Sequence, residues 1–121
     1  LPPCLYNYQF YANNNKLSCM MTQRSSDYAV AGGWNIATGS LLTYLIAYAV
    51  DMEPYELIWN IGDAHIYSNL TENFAKQLER TPRCYPKIYI EPQAKIEDYR
   101  AEHIKLVGYY PHEKINFEMA V

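Results

Sequence analysis

Residues 34–50, WNIATGSLLTYLIAYAV, decide the fold class of this 121-residue chain. Apolar and small side chains lie on nearly all sides of this stretch, and residues that favour helices stand at its centre. The pattern is typical of a helix that is buried among other elements. Asn35 or Thr38 is expected to begin the helix, because either side chain can accept a hydrogen bond from a free backbone N–H of the first turn.

The residues before this helix predict a β-hairpin. Residues 4–12 and 16–24 are rich in apolar side chains and flank Asn13-Asn14-Asn15. Asparagine tolerates left-handed backbone angles, so a hairpin loop is expected at this tripeptide. Residues 25–33 are polar and then rich in glycine, which predicts a loop that leads into the helix.

The residues after the helix predict a strand and a second helix. Residues 57–61 (LIWNI) read as a strand that Gly62 and Asp63 end, and the Asp63 side chain could cap the helix that follows. Apolar residues recur at every fourth position along that helix, at Ile66, Leu70, Phe74 and Leu78. Pro82 and Pro86 are expected to close it.

The last forty residues complete a predicted α+β domain that spans residues 1–121. Further strands are expected at residues 87–91, 104–110 and 115–118, with at most a turn of helix in 95–103. Together the runs predict a mixed sheet packed on one long buried helix.

The composition restricts the class of protein. Half of the residues are apolar or aromatic and 19% are charged, which is typical of a globular chain. A net charge of −3 offers no basic surface for DNA. The three cysteines are an odd number at wide spacing, which argues against a disulfide framework or a metal site and favours a reducing, cytoplasmic location. The apolar run 41–50 is too short for a membrane span, which needs about 20 residues.

Cys4 and Arg24 are candidates for chemistry, each with an ordinary alternative. A cysteine after two prolines is most often a small buried residue, but rigid prolines could also hold a nucleophile on a turn. A thiolate needs a nearby cation, and Arg24 could supply it if the two hairpin strands pair. Arg24 beside the Ser25 hydroxyl could instead hold a phosphate, or lie in solvent as a surface charge.

Three further residues leave a structural and a functional interpretation open. Asp27 could cap a turn, and Asn35 could cap the helix. His65 could serve as a hydrogen-bonding residue of the fold. No pair of His, Cys or carboxylate residues has metal-ligand spacing, so a metal site is not expected.

Four segments, read together, carry a resemblance to a known family. They are residues 1–10 (LPPCLYNYQF), 23–27 (QRSSD), 35–37 (NIA) and 62–67 (GDAHIY). In this order and spacing, and with Met119-Ala120-Val121 at the end, the chain resembles the thymidylate synthase family. The resemblance covers the whole chain except the variable stretch 82–100. It implies a thymidylate synthase-like fold of which this chain is the C-terminal half, because family members are much longer.

The resemblance implies an enzyme that transfers a one-carbon unit from 5,10-methylenetetrahydrofolate to C5 of dUMP. The Cys4 sulfur would add to C6 of the pyrimidine, with Arg24 and Asp27 as further catalytic residues. Arg24 and Ser25 would bind the phosphate, and Arg24 would also touch the Cys4 sulfur. Asp27 would contact the pyrimidine as well.

The resemblance also assigns the remaining site residues. One amide can pair with N3–H and O4 of uracil, so Asn35 favours dUMP over a cytosine nucleotide, which presents the opposite pattern. His65 and Tyr67 would reach the 3′-hydroxyl of the deoxyribose, and Tyr109 matches a family position of less certain role. The predicted folate contacts are Asp27, Ala31 and Val121. The terminal residues of the chain, of which Val121 is the last, would close over the site.

Two departures from the family pattern keep other functions open. Leu5 stands where the family usually has histidine, and Ala31-Gly32-Gly33-Trp34 replaces Gly-Leu-Pro-Phe. These changes keep a dUMP hydroxymethylase, in which water captures the methylene, as an alternative. A catalytically inactive half-domain that serves as an interaction module is a third. The expected partners are dUMP, folate, a second copy of the chain in a homodimer and the missing N-terminal half, in the same or a companion chain.

Overall fold

The computed structural model of the chain describes residues 1–118. Its strands are β1 (Leu5–Asn13), β2 (Lys16–Asp27), β3 (Glu53–His65), β4 (Lys87–Ile90) and β5 (Ile104–Val107). Its α-helices are α1 (Gly32–Ala49) and α2 (Thr71–Leu78), and short 3-10 turns lie at Ser68–Leu70, Ile96–Asp98 and Ala101–His103.

Strand β2 is the centre of a three-stranded mixed sheet. It pairs antiparallel with β1 through the predicted hairpin and parallel with β3. Asn14 and Asn15 have φ angles of 49° and 60°, so the hairpin loop uses the left-handed backbone that asparagine tolerates. A parallel pair requires a crossover, and α1 supplies it between β2 and β3. The mixed sheet is confirmed, and the described part of the chain is a mixed α/β structure.

Helix α1 packs one narrow stripe against the sheet. Its buried residues are Gly32, Gly39, Thr43 and Ala47, of which the last three recur every four positions. Gly39 brings the helix close to the sheet, because a Cβ there would stand 3.0 Å from the Met21 sulfur and 3.2 Å from the Leu57 side chain. The expected burial of the helix on every side is not confirmed, since Trp34 is 77% exposed in the single chain. Neither Asn35 nor Thr38 begins the helix; Ala31 is its N-cap residue.

The core lies between α1 and the inner face of β2. Leu17, Cys19 and Met21 alternate along that strand and are buried, as the two-residue period of a strand requires. Burial raises the pKa of the Cys19 thiol, and the hydrogen bond with Thr43 opposes that rise. Burial also raises the pKa of Tyr8, and the nearby Cys19 adds to it.

The region after α1 differs most from the sequence prediction. Strand β3 does not end at Gly62; it continues to His65 because β2 pairs with it as far as Asp27. A Cβ on Gly62 would lie 2.9 Å from the Arg24 carbonyl oxygen, so this glycine permits close approach of two strands. Asp63 therefore caps no helix, and α2 starts only at Thr71.

The predicted apolar stripe of the second helix is largely absent. Leu70 precedes α2 and is buried, whereas Leu78 within α2 is 71% exposed. Strands β4 and β5 pair antiparallel as a separate two-stranded sheet, which confirms the positions of two predicted strands. Residues 115–118 form no strand. Their backbone accepts hydrogen bonds from side chains of distant residues, and no strand lies beside them.

Candidate active site

Cys4 lies immediately before β1 and is held against Arg24. The Arg24 backbone N–H donates to the Cys4 carbonyl oxygen at 2.9 Å. The Arg24 guanidinium donates to the Pro2 carbonyl oxygen from Nη2 at 2.8 Å and from Nε at 3.3 Å. The Cys4 thiol is exposed and unpaired by any disulfide. The chain therefore brings the predicted nucleophile and cation to one place, while a contact between the guanidinium and the sulfur stays a prediction.

Ser25 and Asp27 belong to the end of β2 and not to a loop, which corrects the sequence prediction. Their partners in β3 are Asp63 and His65. The Asp27 carboxylate oxygen Oδ1 accepts hydrogen bonds from the backbone N–H groups of Ala29 at 3.1 Å and Val30 at 3.4 Å. The turn-capping interpretation of Asp27 is thus confirmed, and its role in binding stays a prediction.

Asn35 lies in the first turn of α1, with its side chain turned towards β2. Its Nδ2 donates to the Ser26 hydroxyl at 3.2 Å, and its backbone N–H donates to the Ala31 carbonyl oxygen at 2.9 Å. Ser26 is buried. The amide is therefore anchored on one side and keeps further hydrogen-bonding capacity on the other.

His65 is the last residue of β3, and Tyr67 is the N-cap residue of the 3-10 turn Ser68–Leu70, so both lie before α2, which the sequence predicted to begin near them. The two rings pack edge to face, with their centroids 5.2 Å apart. His65 Nδ1 is buried and lies 3.5 Å from an Asp63 carboxylate oxygen, outside hydrogen-bond geometry. The His65 carbonyl oxygen accepts from the Tyr28 N–H at 2.9 Å, which ties β3 to the turn before α1.

These residues meet at the carboxyl ends of the parallel strands β2 and β3. Open sheets with a crossover helix commonly bind ligands at this end, beside the N-terminus of the helix. That N-terminus favours negative charge, because its free N–H groups point outwards. The elements that carry the thiol, the guanidinium, the amide and the imidazole are thus neighbours in the fold. Such a set suits an anionic ligand with a polar ring.

The folate contacts predicted from the sequence are described only in part. Ala31 is the N-cap residue of α1, and its N–H donates to the Asp27 carbonyl oxygen at 2.9 Å. Ala31 and Asp27 therefore share one turn. Val121 lies outside the described residues.

A cavity lies away from these residues. It has a volume of about 380 Å³, opens between the end of α2 and the C-terminal segment, and is lined by six residues within 77–86 and by residues 109–115. Tyr109 lines this cavity and lies beyond β5, which ends at Val107, so it does not belong to the strand that the sequence predicted over residues 104–110. None of the candidate residues from Cys4 to Tyr67 lines it.

Two interactions beside the site were not found from the sequence. The first is the hydrogen bond between Ser26 and Asn35. The only sequence signal for it was the place of Ser26 within segment 23–27. The buried Gln23 side-chain oxygen accepts from the Trp59 indole N–H at 2.6 Å, and that indole stacks on Tyr28. The alternating burial of β2 could have indicated that Gln23 points inwards and needs a partner.

Two other kinds of feature are absent within residues 1–118. This part of the chain has no group of three or more His, Cys, Asp or Glu side chains that could hold a metal ion. It also has no helix long and apolar enough to cross a membrane.

Comparison with known proteins decides the family. The family model described as thymidylate synthase matches residues 1–121. The chain belongs to the thymidylate synthase family. It is 46% identical to the thymidylate synthase of Homo sapiens and 45% identical to that of Equine herpesvirus 2, in both cases over 100% of this chain. It is also 45% identical to the bifunctional dihydrofolate reductase-thymidylate synthase of Zea mays.

This thymidylate synthase-family chain is shorter than its relatives. It covers 39% of the human protein, 42% of the herpesvirus protein and 23% of the maize protein. It therefore spans less than half the length of the curated relatives that it matches. The sequence prediction of the family is confirmed, and the four segments on which it rested lie on neighbouring elements of the fold.

Proposed function

We propose that this chain is the C-terminal catalytic portion of a thymidylate synthase that converts dUMP to dTMP. The observation that carries the proposal is the attachment of Cys4 to Arg24 at the strand ends where Asn35 and His65 also lie. A thiol, an anion-binding side chain and a base-pairing amide are the three groups that the reaction requires. The family membership and the identity to named thymidylate synthases support the same conclusion.

In the proposed reaction, the Cys4 sulfur forms a bond to C6 of the uracil ring. The C5–C6 π electrons move towards C5 and O4, which makes C5 nucleophilic. Asn35 accepts from N3–H and donates to O4, so it holds the ring and stabilises the negative charge on O4. Arg24 and Ser25 hold the phosphate, and His65 and Tyr67 hold the deoxyribose hydroxyl. C5 then forms a bond to the one-carbon unit and loses its proton, and the bond between that carbon and the folate nitrogen breaks. A hydride from the resulting tetrahydrofolate adds to the methylene carbon as the Cys4–C6 bond breaks, which gives dTMP, dihydrofolate and the free thiolate.

The co-substrate in this proposal is 5,10-methylenetetrahydrofolate, which supplies the one-carbon unit and the hydride and leaves as dihydrofolate. The turn formed by Asp27 and Ala31 fits a polar, partly aromatic ligand, because its carboxylate is near the surface and the neighbouring Trp34 indole is exposed. Asp27 would bind the ligand with the carboxylate oxygen that the turn leaves free. Val121 is proposed to contact the same ligand.

The proposal includes the remainder of the enzyme and a second copy of it. Because the relatives are more than twice as long as this chain, we propose that an N-terminal portion completes the site, in the same chain or a companion chain. The sheet face opposite α1 supports a homodimer, because it exposes Ile58 and Tyr11 and leaves Met20 only partly covered. A cytoplasmic location is part of the same proposal.

The assay uses the protein expressed from its complete reading frame. It is incubated with methylenetetrahydrofolate and dUMP that carries tritium at C5, and dihydrofolate absorbance and tritium release are followed together. We expect both signals in equal amounts. Cys4→Ser should abolish both, because the hydroxyl is a far weaker nucleophile than the thiolate. Cys84→Ser is the matched control, since this exposed cysteine lies on another surface and should leave both signals unchanged.

Hydroxymethylation of dUMP is the second candidate. It is favoured by Leu5 beside the nucleophile and by the exposed Trp34, both of which depart from the family pattern near the site. In that reaction water captures the methylene and no hydride is transferred. Tritium release without dihydrofolate would identify this activity. Absence of both signals from correctly assembled protein would contradict both reactions and favour an interaction module.

A further inference from the structure

Asp63 does not cap the helix that the sequence predicted, and the proposed reaction gives it no role. It lies two residues before His65 in β3, so the two side chains leave the same face of the strand. Asp63 Oδ2 stands 3.5 Å from His65 Nδ1. The Asp63 side chain is 70% exposed, and a solvated carboxylate carries a negative charge at neutral pH. A charged acceptor therefore lies beside one nitrogen of the imidazole.

The two ring nitrogens of His65 differ in what can reach them. Nδ1 is buried, and no group within residues 1–118 stands in hydrogen-bond geometry to it. The His65 side chain as a whole is 29% exposed, and the Tyr67 ring packs edge to face against it. A ligand that arrives from solvent can therefore meet only Nε2 of the two nitrogens. The state of Nδ1 is left to the Asp63 carboxylate.

The contact between the carboxylate and Nδ1 favours one protonation state. A carboxylate accepts hydrogen bonds and donates none. If Nδ1 carries a proton, it is attracted to Asp63 Oδ2, and a small rotation of the exposed carboxylate would complete a hydrogen bond. If Nδ1 carries a lone pair, that lone pair faces a negative oxygen and is repelled. The proton of the neutral ring therefore belongs on Nδ1, which leaves Nε2 as an acceptor.

We propose that Asp63 is a positioning residue that fixes the tautomer of His65, with the proton on Nδ1 and an acceptor at Nε2. This tautomer accepts a hydrogen bond from a ligand hydroxyl and repels a ligand group that can only accept. The inference rests on the proposed function, in which His65 holds the deoxyribose hydroxyl. It adds the direction of that hydrogen bond: the hydroxyl donates, so the site selects nucleotides by the hydrogen atom of this hydroxyl.

The first test measures the tautomer without any nucleotide. Two-bond ¹⁵N–¹H correlation spectra are recorded on the protein from its complete reading frame, labelled in its histidines, at about pH 8, above the ordinary titration range of histidine. His65→Gln identifies the His65 signals by their loss. We expect a protonated Nδ1 and an unprotonated Nε2 in wild type. In Asp63→Ala the ratio of this tautomer to the other should fall about fivefold, as for one partly exposed charge contact.

The matched control for this test removes another exposed carboxylate from the same strand. Glu53 lies at the opposite end of β3 and is exposed. Glu53→Ala should leave the tautomer ratio of His65 at the wild-type value. Because each spectrum reports only folded molecules with dispersed signals, partial unfolding of a variant lowers the intensity and leaves the ratio unaffected.

The second test connects the tautomer with the ligand. Titration calorimetry gives the dissociation constants of dUMP and of 3′-deoxy-3′-fluoro-dUMP, whose fluorine can accept but cannot donate. The ratio of the fluoro analogue's constant to the dUMP constant should fall about fivefold in Asp63→Ala, because Nε2 can then carry a proton towards the fluorine. Glu53→Ala should keep the wild-type ratio.

The outcomes separate this inference from the proposed function. A proton on Nε2 of wild-type His65, or equal tautomer ratios in wild type and Asp63→Ala, would overturn the role of Asp63 even if dUMP binds. A changed tautomer ratio with an unchanged ratio of dissociation constants would overturn the selection by the hydroxyl hydrogen. Failure of the wild-type protein to bind dUMP would overturn the proposed function, while the tautomer spectra would still decide the role of Asp63.

Discussion

At the scale of single residues, the buried Cys19 thiol makes the stability of the fold depend on pH. Burial raises its pKa, so the folded chain keeps the thiol protonated at pH values where the unfolded chain ionises it. The stabilisation is complete below the usual thiol pKa of about 8.5 and is lost as the pH rises through the folded value. We expect the melting temperature to fall more steeply between pH 8 and 10 in wild type than in Cys19→Ala. Parallel pH profiles for the two proteins would contradict this.

Gly62 provides a second prediction for one residue. Gly62→Ala should destabilise the fold by about 1–3 kcal/mol, because the new methyl group would lie 2.9 Å from the Arg24 carbonyl oxygen and force two paired strands apart. The free energy of unfolding in urea measures this. Gly33→Ala is the control: a Cβ there meets nothing within 4 Å, and alanine favours the helix. Equal stability of Gly62→Ala and wild type would show that the strands can separate without cost.

At the scale of elements, side chains from one region hold the irregular segment 109–118. Asn69, Asn73, Arg80 and Arg83 donate to backbone carbonyl oxygens of Glu118, Asn116, Glu113, Tyr110 and Pro111. The His112 ring also contacts the Thr81 carbonyl oxygen at 2.9 Å. Side chains thus supply hydrogen bonds to the backbone of this segment. In a strand, a neighbouring strand would supply them.

Arg83→Ala should loosen this segment. The two bonds from Arg83 Nη1 to the carbonyl oxygens of Tyr110 and Pro111 would be lost, so local opening should increase about tenfold. Cleavage by chymotrypsin after Tyr109 measures that opening. Lys105→Ala removes an exposed cation from β5 and should leave the cleavage rate unchanged. Equal rates for the two variants would mean that Arg83 does not restrain the segment.

The elements also show what the sequence could predict. The hairpin, α1 and the positions of strands β4 and β5 follow from local patterns, because turn-forming asparagines and apolar periods act within a few residues. The length of β3 could not be predicted, since its continuation past Gly62 depends on pairing with Arg24 and its neighbours in β2. Residues 115–118 alternate like a strand, yet their partners Asn69 and Asn73 are more than forty residues away.

The candidate site, like the fold, was predictable in part from the sequence. Cys4, Arg24, Asn35 and His65 were recognised as a set, and the fold brings their segments to one end of the sheet. The secondary structure around these residues was not predicted correctly, because tertiary packing decides whether a position is a helix start or a strand end. Ser26 escaped notice for the same reason: a serine next to an aspartate has no distinctive pattern until its partner in α1 is known.

At the scale of the whole molecule, the three-stranded sheet has a consequence for the chain in isolation. Within the described residues β3 pairs with β2 alone, so one full row of N–H and C=O groups along Glu53–His65 meets no other strand. Such an open edge is a template for pairing with other chains. Expressed alone, residues 1–121 should self-associate through this edge, and light scattering that grows with concentration would reveal it. If the chain has the N-terminal portion proposed above, the border of β3 is a place where that portion could shield the fold from aggregation.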